Sequence, residues 1–193
     1  MVSVSSLAKK LMFARQFTIE DGMFSILGAP HVIFPARPFA SMEEEIVKRL
    51  GKEGISFMYN LGIETGKKIA LLYKEETRLS GFKLAKLLMD ISSMGGWGKW
   101  EVYKADLENN YFINICENSQ YAKAKKSNEP SCHIIRGFIA GELRVSFGIN
   151  NLEVVETNCV SAGDKICKFI TKPATGFDLN SNITKRQLPH LFK

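Results

Sequence analysis

Residues 156–169 read Glu156-Thr-Asn-Cys159-Val-Ser-Ala-Gly163-Asp164-Lys-Ile-Cys167-Lys-Phe169. The stretch holds two of the chain's four cysteines, with a carboxylate before the first of them and a Gly-Asp pair between them. Strand-like segments lie on either side of that pair, at Leu152–Thr157 and Lys165–Thr171. Because Gly and Asp favour turns, the pattern predicts a β-hairpin whose connection contains Gly163 and Asp164.

A helix is predicted immediately before this hairpin, from Cys132 to Phe147, with Ser131 as its N-cap. Gly137 and Gly141 are four positions apart on this helix, so a neighbouring element can approach it closely. Helical spacing indicates a single apolar stripe, formed by Ile135, Phe138, Ile139 and Leu143.

Two further elements are predicted upstream of that helix. The segments Trp97–Tyr103 and Tyr111–Cys116 have a period of two and predict a second hairpin, followed by an exposed polar loop over residues 120–130. An apolar stripe that begins after Ser80 predicts a helix, which a Gly-Gly pair ends.

The N-terminal third combines short strands with a long helical region. Strands are predicted within Phe17–Leu27 and at Val32–Phe34. Ser41 and Glu44 form a capping-box pattern, and the helical region that follows reaches about Tyr73 as two helices or one kinked helix. This order of elements indicates an α+β fold, in which helices pack on one side of an antiparallel sheet.

Composition describes one globular domain. With 193 residues, 45% of them hydrophobic, the chain can bury a substantial core. We expect a single domain over residues 1–173 and a mobile or docking tail over residues 174–193. The net charge of +6 is scattered, so nucleic-acid binding is not indicated. No apolar run reaches bilayer length and the N-terminus lacks the order of a signal peptide, which predicts a cytoplasmic protein.

The cysteines are the candidate functional residues. In a reducing compartment, cysteines are thiols or metal ligands rather than disulfides. Three thiolates are soft ligands and a carboxylate is a hard one, and together they can bind a single divalent ion. The helix and the hairpin supply such a set: Cys132, Glu156, Cys159 and Cys167.

Spacing alone leaves two points open. The fourth ligand can also be His133 or Asp164. The chain lacks the close Cys-x-x-Cys pair of zinc ribbons and fingers, so spacing alone favours the simpler interpretation, in which the cysteines are small buried apolar residues. No Ser-His-Asp order, dinucleotide loop or phosphate loop occurs, so we expect no catalytic residue, and a protein that is not an enzyme is favoured.

The helix and the hairpin together resemble the signature of the 4-vinyl reductase (V4R) domain family. The resemblance rests on Cys132-His-Ile-Ile-Arg-Gly137-Phe138-Ile-Ala-Gly141 and on Glu156-x-x-Cys159-x-x-x-Gly163-Asp164-x-x-Cys167-x-Phe169. It covers about residues 15–172. Two upstream features are also similar to the family: the Leu27-Gly28-Ala-Pro30 turn, and Gly62 with Gly66 in a helix.

The resemblance implies a fold shared with the small subunits of the TRAPP vesicle-tethering complex and related to haem-NO-binding domains. In sensor members of the family, three cysteines and a glutamate hold zinc beside a buried small-molecule pocket. The matching zinc ligands here are Cys132, Glu156, Cys159 and Cys167. The elements that enclose the family's ligand carry seven candidate pocket residues: Phe57, Tyr59, Trp97, Trp100, Tyr111, Phe112 and Phe138.

The function implied by the resemblance is that of a zinc-stabilised, sensor-like domain that binds a hydrophobic or aromatic small molecule. Binding would alter a homodimer surface or the surface of a separate regulatory partner protein. Two alternatives remain. One is an enzyme or accessory protein of tetrapyrrole metabolism, as the family name suggests. The other is a dimeric scaffold resembling the TRAPP small subunits.

Overall fold

The computed structural model describes residues 17–192 and begins with a small antiparallel sheet. Its strands are β1 (Phe17–Glu20), β2 (Met23–Ile26) and β3 (Ala29–His31), in the order β1-β2-β3. Two-residue turns with positive φ at both positions join them, as tight hairpins require. Residues 15 and 16, where the expected domain core starts, lie outside the described residues, as do the N-terminus and Lys193.

Three helices follow, namely α1 (Ala36–Leu50), α2 (Lys52–Thr77) and α3 (Gly81–Met94). Gly51, at φ 56°, separates α1 from α2, so the long helical region is two helices. The predicted start of α3 after Ser80 is confirmed. Within residues 17–192, no helix combines the length and the apolar character that a bilayer crossing requires.

Two N-terminal predictions are wrong. Val32–Phe34 is not a strand, because the pairing of β3 with β2 ends at His31, opposite Phe24. These three residues are 59–90% exposed to solvent. The Ser41 capping box does not start α1, which begins at Ala36 instead. A proline is tolerated in the first turn of a helix, so Pro38 does not prevent this earlier start.

The main sheet has four strands in the order β4-β5-β7-β6, and all neighbours are antiparallel. They are β4 (Lys99–Asp106), β5 (Tyr111–Glu117), β6 (Leu152–Asn158) and β7 (Ile166–Pro173). Both predicted hairpins are present, and pairing of β5 with β7 joins them into one sheet. The predicted α+β class is confirmed.

The connection between the two hairpins contains α4 (Gln120–Lys123) and α5 (His133–Phe147). The predicted loop over residues 120–130 is therefore wrong at its start, where the Ser119 hydroxyl accepts a hydrogen bond from the Ala122 N–H and caps a short helix. The N-cap of α5 is Cys132 rather than Ser131.

Helices α2 and α5 cross at four glycines. A Cβ atom built on Gly62 or Gly66 would lie 2.3 or 2.4 Å from a carbonyl oxygen of α5. On α5, a Cβ atom at Gly137 or Gly141 would lie 2.1 or 2.2 Å from a carbonyl oxygen of α2. The close approach predicted for Gly137 and Gly141 is confirmed, and it holds α5 between α2 and the main sheet.

The described part of the C-terminal segment docks against β6. It contains α6 (Asn182–Gln187) between two 3₁₀ helices, Ala174–Gly176 and Pro189–Phe192. Phe177 and Leu188 join the main hydrophobic core. Strand β6 is consequently buried along most of its length, although it is an edge strand.

Candidate metal centre and its surroundings

Four buried ligand groups meet between the N-terminus of α5 and the β6–β7 hairpin. The Sγ atoms of Cys132, Cys159 and Cys167 and a carboxylate oxygen of Glu156 lie within 4.8 Å of one another. The Sγ atoms of Cys132 and Cys159 are 3.6 Å apart. Zn–S bonds of about 2.3 Å give a tetrahedron with edges of about 3.8 Å. The group has the composition and the compactness to bind a metal ion.

The hydrogen bonding of the Glu156 carboxylate suits the role of a metal ligand. Its Oε2 atom accepts a hydrogen bond from the Cys132 N–H at 3.0 Å. Its Oε1 atom is buried and receives no hydrogen bond from the described residues. A buried carboxylate oxygen without a partner is costly, and a cation beside it removes that cost.

The two alternative ligands face away from this group. The Nδ1 atom of His133 lies 3.1 Å from the guanidinium of Arg136. The Asp164 carboxylate accepts hydrogen bonds from the Cys159 N–H at 2.8 Å and from the Asn158 side chain at 3.3 Å. The structure therefore brings Glu156 together with the cysteines, and uses Asp164 to fix the turn.

Four acidic groups this close cannot all ionise without a cation. Burial, and then the charge of Cys159, raises the pKa of the Glu156 carboxyl well above its usual value. Hydrogen bonds to Cys159 and Cys167, and then burial, raise the pKa of Cys132, whereas hydrogen bonds from the other two thiols lower the pKa of Cys159. One thiolate thus forms at the expense of its neighbours, and a divalent ion would let all four ionise.

Gln187, in the docked C-terminal segment, fixes the backbone of Glu156. The Glu156 N–H donates to Gln187 Oε1, and Gln187 Nε2 donates to the Glu156 carbonyl oxygen, both at 2.8 Å. Gln187 is fully buried. This paired hydrogen bond continues the sheet past its edge strand and holds the carboxylate in position.

A second buried carboxylate holds the N-terminus of α5. Glu43 Oε1 accepts a hydrogen bond from the His133 N–H at 2.7 Å, and Tyr121 donates to the other oxygen. The Lys125 ammonium lies 3.5 Å from Glu43 and also donates to the Ser131 carbonyl. Negative charge at a helix N-terminus is favourable, so Glu43 helps to orient the turn that carries Cys132.

The seven aromatic residues predicted to line a pocket lie in different parts of the domain. Trp97 and Phe138 contact each other with ring centroids 6.1 Å apart. Both belong to a cluster near the N-terminus of α5 that includes Phe39 and Tyr121. This aromatic cluster lies beside the Glu43 network, which shares Tyr121.

Trp100 and Phe112 lie between the main sheet and α5. The Trp100 ring stacks on Phe169 of β7 with centroids 5.4 Å apart. Phe112 contacts Phe147, at the end of α5, with centroids 4.8 Å apart. These two residues face the interior of the domain.

The remaining three residues lie neither in the aromatic cluster nor between α5 and the main sheet. Tyr59 is buried on α2 and donates to the Glu153 carboxylate at 2.6 Å, which is a structural contact. Tyr111 is half-buried, with the Lys104 ammonium 5.5 Å from its ring centroid. Phe57 is 53% exposed, because it lies on the outer face of α2.

Residues 112–173 match the V4R domain family. This part of the chain is similar to the V4R domain. The matched segment contains β5 after its first residue, α5 and the β6–β7 hairpin, and all four groups of the candidate metal centre lie within it. The resemblance recognised in the sequence is confirmed.

Solved structures show where this fold occurs. The phenol-responsive sensory domain of the transcription activator PoxR, solved with phenol, aligns over 99% of both chains with 16% identity and a TM-score of 0.77. A trafficking protein particle complex subunit 3 from Naegleria fowleri, covalently bound to palmitic acid, aligns over 72% of this chain and 94% of that chain, with 14% identity and a TM-score of 0.54. At these identities the likeness shows the fold alone.

A vinyl-4-reductase family protein from Methanocaldococcus jannaschii aligns over 75% of this chain and 99% of that chain, with 20% identity and a TM-score of 0.48. No curated protein sequence matches this chain significantly.

Four residues around the candidate metal centre carry no signal in the sequence. Glu43 lies in a helix rich in glutamate, and Lys125 lies in a run of lysines. Gln187 belongs to a tail without periodicity. Tyr121 lies in the segment predicted as an exposed loop, yet it is 1% exposed. Their roles follow from contacts between elements that are far apart in the sequence.

Proposed function

We propose that the chain is a zinc-binding V4R domain that takes up a small hydrophobic or aromatic molecule. The observation that carries the metal is the buried set of three thiols and one carboxylate with an unpartnered oxygen. Thiolates select soft or borderline ions, and zinc accepts tetrahedral sulfur and oxygen ligands. Ions such as Mg²⁺, which prefer carboxylate and water oxygens as ligands, do not suit a set with three thiolates.

The proposed zinc ion has a structural role. Four protein ligands close a tetrahedral site and leave no position for a substrate or an activated water. The ligands come from the start of α5 and from both strands of the β6–β7 hairpin with its connection. Zinc would therefore fasten the helix to the hairpin and stabilise the space between them.

The ligand would occupy the interior between α5 and the main sheet. Trp100 and Phe112 supply aromatic surface there, as small-molecule sites commonly require. The likeness to a sensory domain solved with phenol supports this part of the proposal at the level of fold.

Native mass spectrometry of the purified full chain tests both parts together. We expect one zinc ion for each 21.7 kDa chain, and a co-purified small molecule that dissociates on activation. The same spectrum gives the subunit number, and a dimer would agree with the predicted homodimer. Chains that carry neither metal nor small molecule would contradict the proposal.

We predict that Gln187→Ala lowers the affinity for Zn²⁺ without removing a ligand atom. Its two hydrogen bonds to the Glu156 backbone hold the carboxylate in position. Loss of such outer contacts weakens metal binding by about tenfold or more. Competition with a chromophoric chelator measures the change.

The control is Gln120→Ala, which removes a surface glutamine bonded to the Asn118 carbonyl. We expect its zinc affinity to equal that of the wild type. Equal affinities for all three proteins would show that Gln187 does not position the ligand.

A further inference from the structure

The four ligand groups of the candidate metal centre have almost no contact with solvent. Cys132 and Cys167 are 1% exposed, and Glu156 and Cys159 are fully buried. A metal site of this kind needs an entry path through the protein before an ion can reach it. We expect that path on the side where the fewest atoms separate the ligands from solvent.

Buried side chains cover the centre on three sides. The Glu43 network covers the start of α5, and its residues are buried. Gln187 is fully buried against the Glu156 backbone. Cys116 of β5 is the direct partner of Cys167 of β7 and is fully buried as well. Each of these three ligands therefore lies behind at least one buried residue.

The fourth side differs, because a surface cleft lies next to Cys159. This cleft, the Ser161 cleft, has a volume of about 430 Å³ and lies between the loop after α4 and the connection from β6 to β7. Its lining residues are Lys126, Ser127, Asn128, Ser161, Ala162 and Gly163. Ser161 is the most buried of them, with 8% of its surface exposed.

Ser161 joins the cleft to the metal centre. Its Oγ atom lies 2.9 Å from the Cys159 Sγ atom and 2.9 Å from the Ser131 Oγ atom. The Ser127 N–H donates to the Ser161 carbonyl oxygen at 2.9 Å, which ties the two walls of the cleft together. A single side chain thus lies between the cleft and a ligand sulfur, and a serine side chain can change its χ1 rotamer without moving the backbone.

We propose that the Ser161 cleft is the route by which Zn²⁺ enters and leaves the metal centre, and that the Ser161 side chain closes this route. The inference rests on the proposed zinc site and adds the path to it. A hydroxyl group suits this position, because a cation loses less solvation beside a polar group than beside an apolar one.

Lys126 gives the route an electrostatic signature. Its side chain is exposed on the wall of the cleft and has the same sign of charge as the ion. Charges near a binding path change association rates, and salt screens this effect. An acidic residue at position 126 should therefore speed zinc binding if the ion passes through this cleft.

Stopped-flow mixing of the zinc-free full chain with Zn²⁺ and a chromophoric zinc indicator measures the association rate. We expect Lys126→Glu to bind Zn²⁺ about threefold faster or more than the wild type at an ionic strength of about 0.01 M, with a smaller gain at about 0.15 M.

The control is Lys74→Glu, which makes the same change of charge at an exposed position far from the cleft. Gly62 of α2 lies against the first turn of α5, and Lys74 is about 18 Å further along α2. At this distance salt screens most of the interaction, so the association rate should stay close to that of the wild type.

Ser161→Thr tests the closing side chain, because it keeps the hydroxyl group and adds a methyl group. We expect association and release to slow by the same factor, about fivefold or more, as crowding of one methyl group supports. The Kd should stay unchanged, whereas a purely structural role of Ser161 would change the Kd. Mixing the zinc-loaded chain with an excess of chromophoric chelator measures release. Ser80→Thr, at the exposed N-cap of α3, is the control and should exchange zinc as the wild type does.

Equal association rates for Lys126→Glu and Lys74→Glu would place the entry route elsewhere, and so would wild-type exchange rates in Ser161→Thr. Both results would leave the zinc site in place, because elemental analysis measures zinc content separately. A wild type that neither contains nor takes up zinc would overturn the site and the route together. Lys126→Glu changes only an exposed side chain, so it tests the route even if Ser161→Thr does not fold.

Discussion

Cys159→Ser is expected to abolish metal binding and to lower the free energy of unfolding by about 5 kcal/mol, which corresponds to a fall in Tm of about 15 °C. Cys159 is fully buried, and its Sγ atom lies within 4.8 Å of the three other ligand groups. A serine hydroxyl does not ionise near neutral pH, so it cannot replace the thiolate. Without the ion, the acidic groups at the start of α5 no longer share a counter-charge.

Elemental analysis and thermal unfolding with and without a strong chelator measure this effect. We expect chelation to lower the Tm of the wild type close to that of Cys159→Ser, and to leave the Tm of the variant unchanged. The matched control is Cys116→Ser, which makes the same chemical change at a buried cysteine outside the metal centre. It should retain one metal ion for each chain and respond to the chelator as the wild type does.

Two results would contradict the metal centre. One is a wild-type protein whose stability a chelator does not change. The other is equal zinc content in Cys159→Ser and Cys116→Ser. Either result would return the cysteines to the role of buried apolar residues.

Gly137→Ala is expected to destabilise the domain by about 4 kcal/mol or more, because it forces two helix backbones apart. The new Cβ atom would lie 2.1 Å from the Tyr59 carbonyl oxygen and 2.7 Å from the Gly62 Cα atom. These are backbone atoms in the middle of helices, so neither can rotate away.

Helix propensity alone predicts that Gly137→Ala stabilises the domain. Alanine is favoured over glycine within a helix by about 1 kcal/mol. Equilibrium unfolding in denaturant therefore distinguishes the two effects. Gly176→Ala is the control, because its Cβ atom would approach nothing closer than the flexible Lys172 side chain at 3.4 Å. A Gly137→Ala variant as stable as the wild type would show that the helices do not approach this closely.

The N-terminal elements show how local patterns mislead. Val32, Ile33 and Phe34 are β-branched or aromatic and look like a strand, yet the pairing with β2 ends at His31. Ser41 and Glu44 match a capping box but do not start α1. Glu43 between them instead accepts a hydrogen bond from the first residue of α5. Strand pairing and burial of a carboxylate depend on distant elements, which local sequence does not describe.

The aromatic residues show the same limit. Trp97, Trp100, Phe112 and Phe138 lie in the interior or beside it, while Phe57 lies on the outer face of α2. A helix that crosses another at glycines buries a narrow face, and the sequence does not say which aromatic residue of α2 lies on it. The direction of a side chain around a helix is set by the partner that packs there.

The sequence by itself determined the β6–β7 hairpin, the helix α5 before it, the close approach at Gly137 and Gly141, and the candidate ligands between Cys132 and Cys167. Each is carried by residue chemistry at short spacing: turn formers, apolar periodicity, missing side chains and thiols. Only the tertiary structure decided that Glu156 rather than His133 or Asp164 meets the cysteines, and that Gln187 of the tail fixes Glu156. Those outcomes depend on contacts across the sheet and between helices, where burial and hydrogen bonding join residues that no local pattern relates.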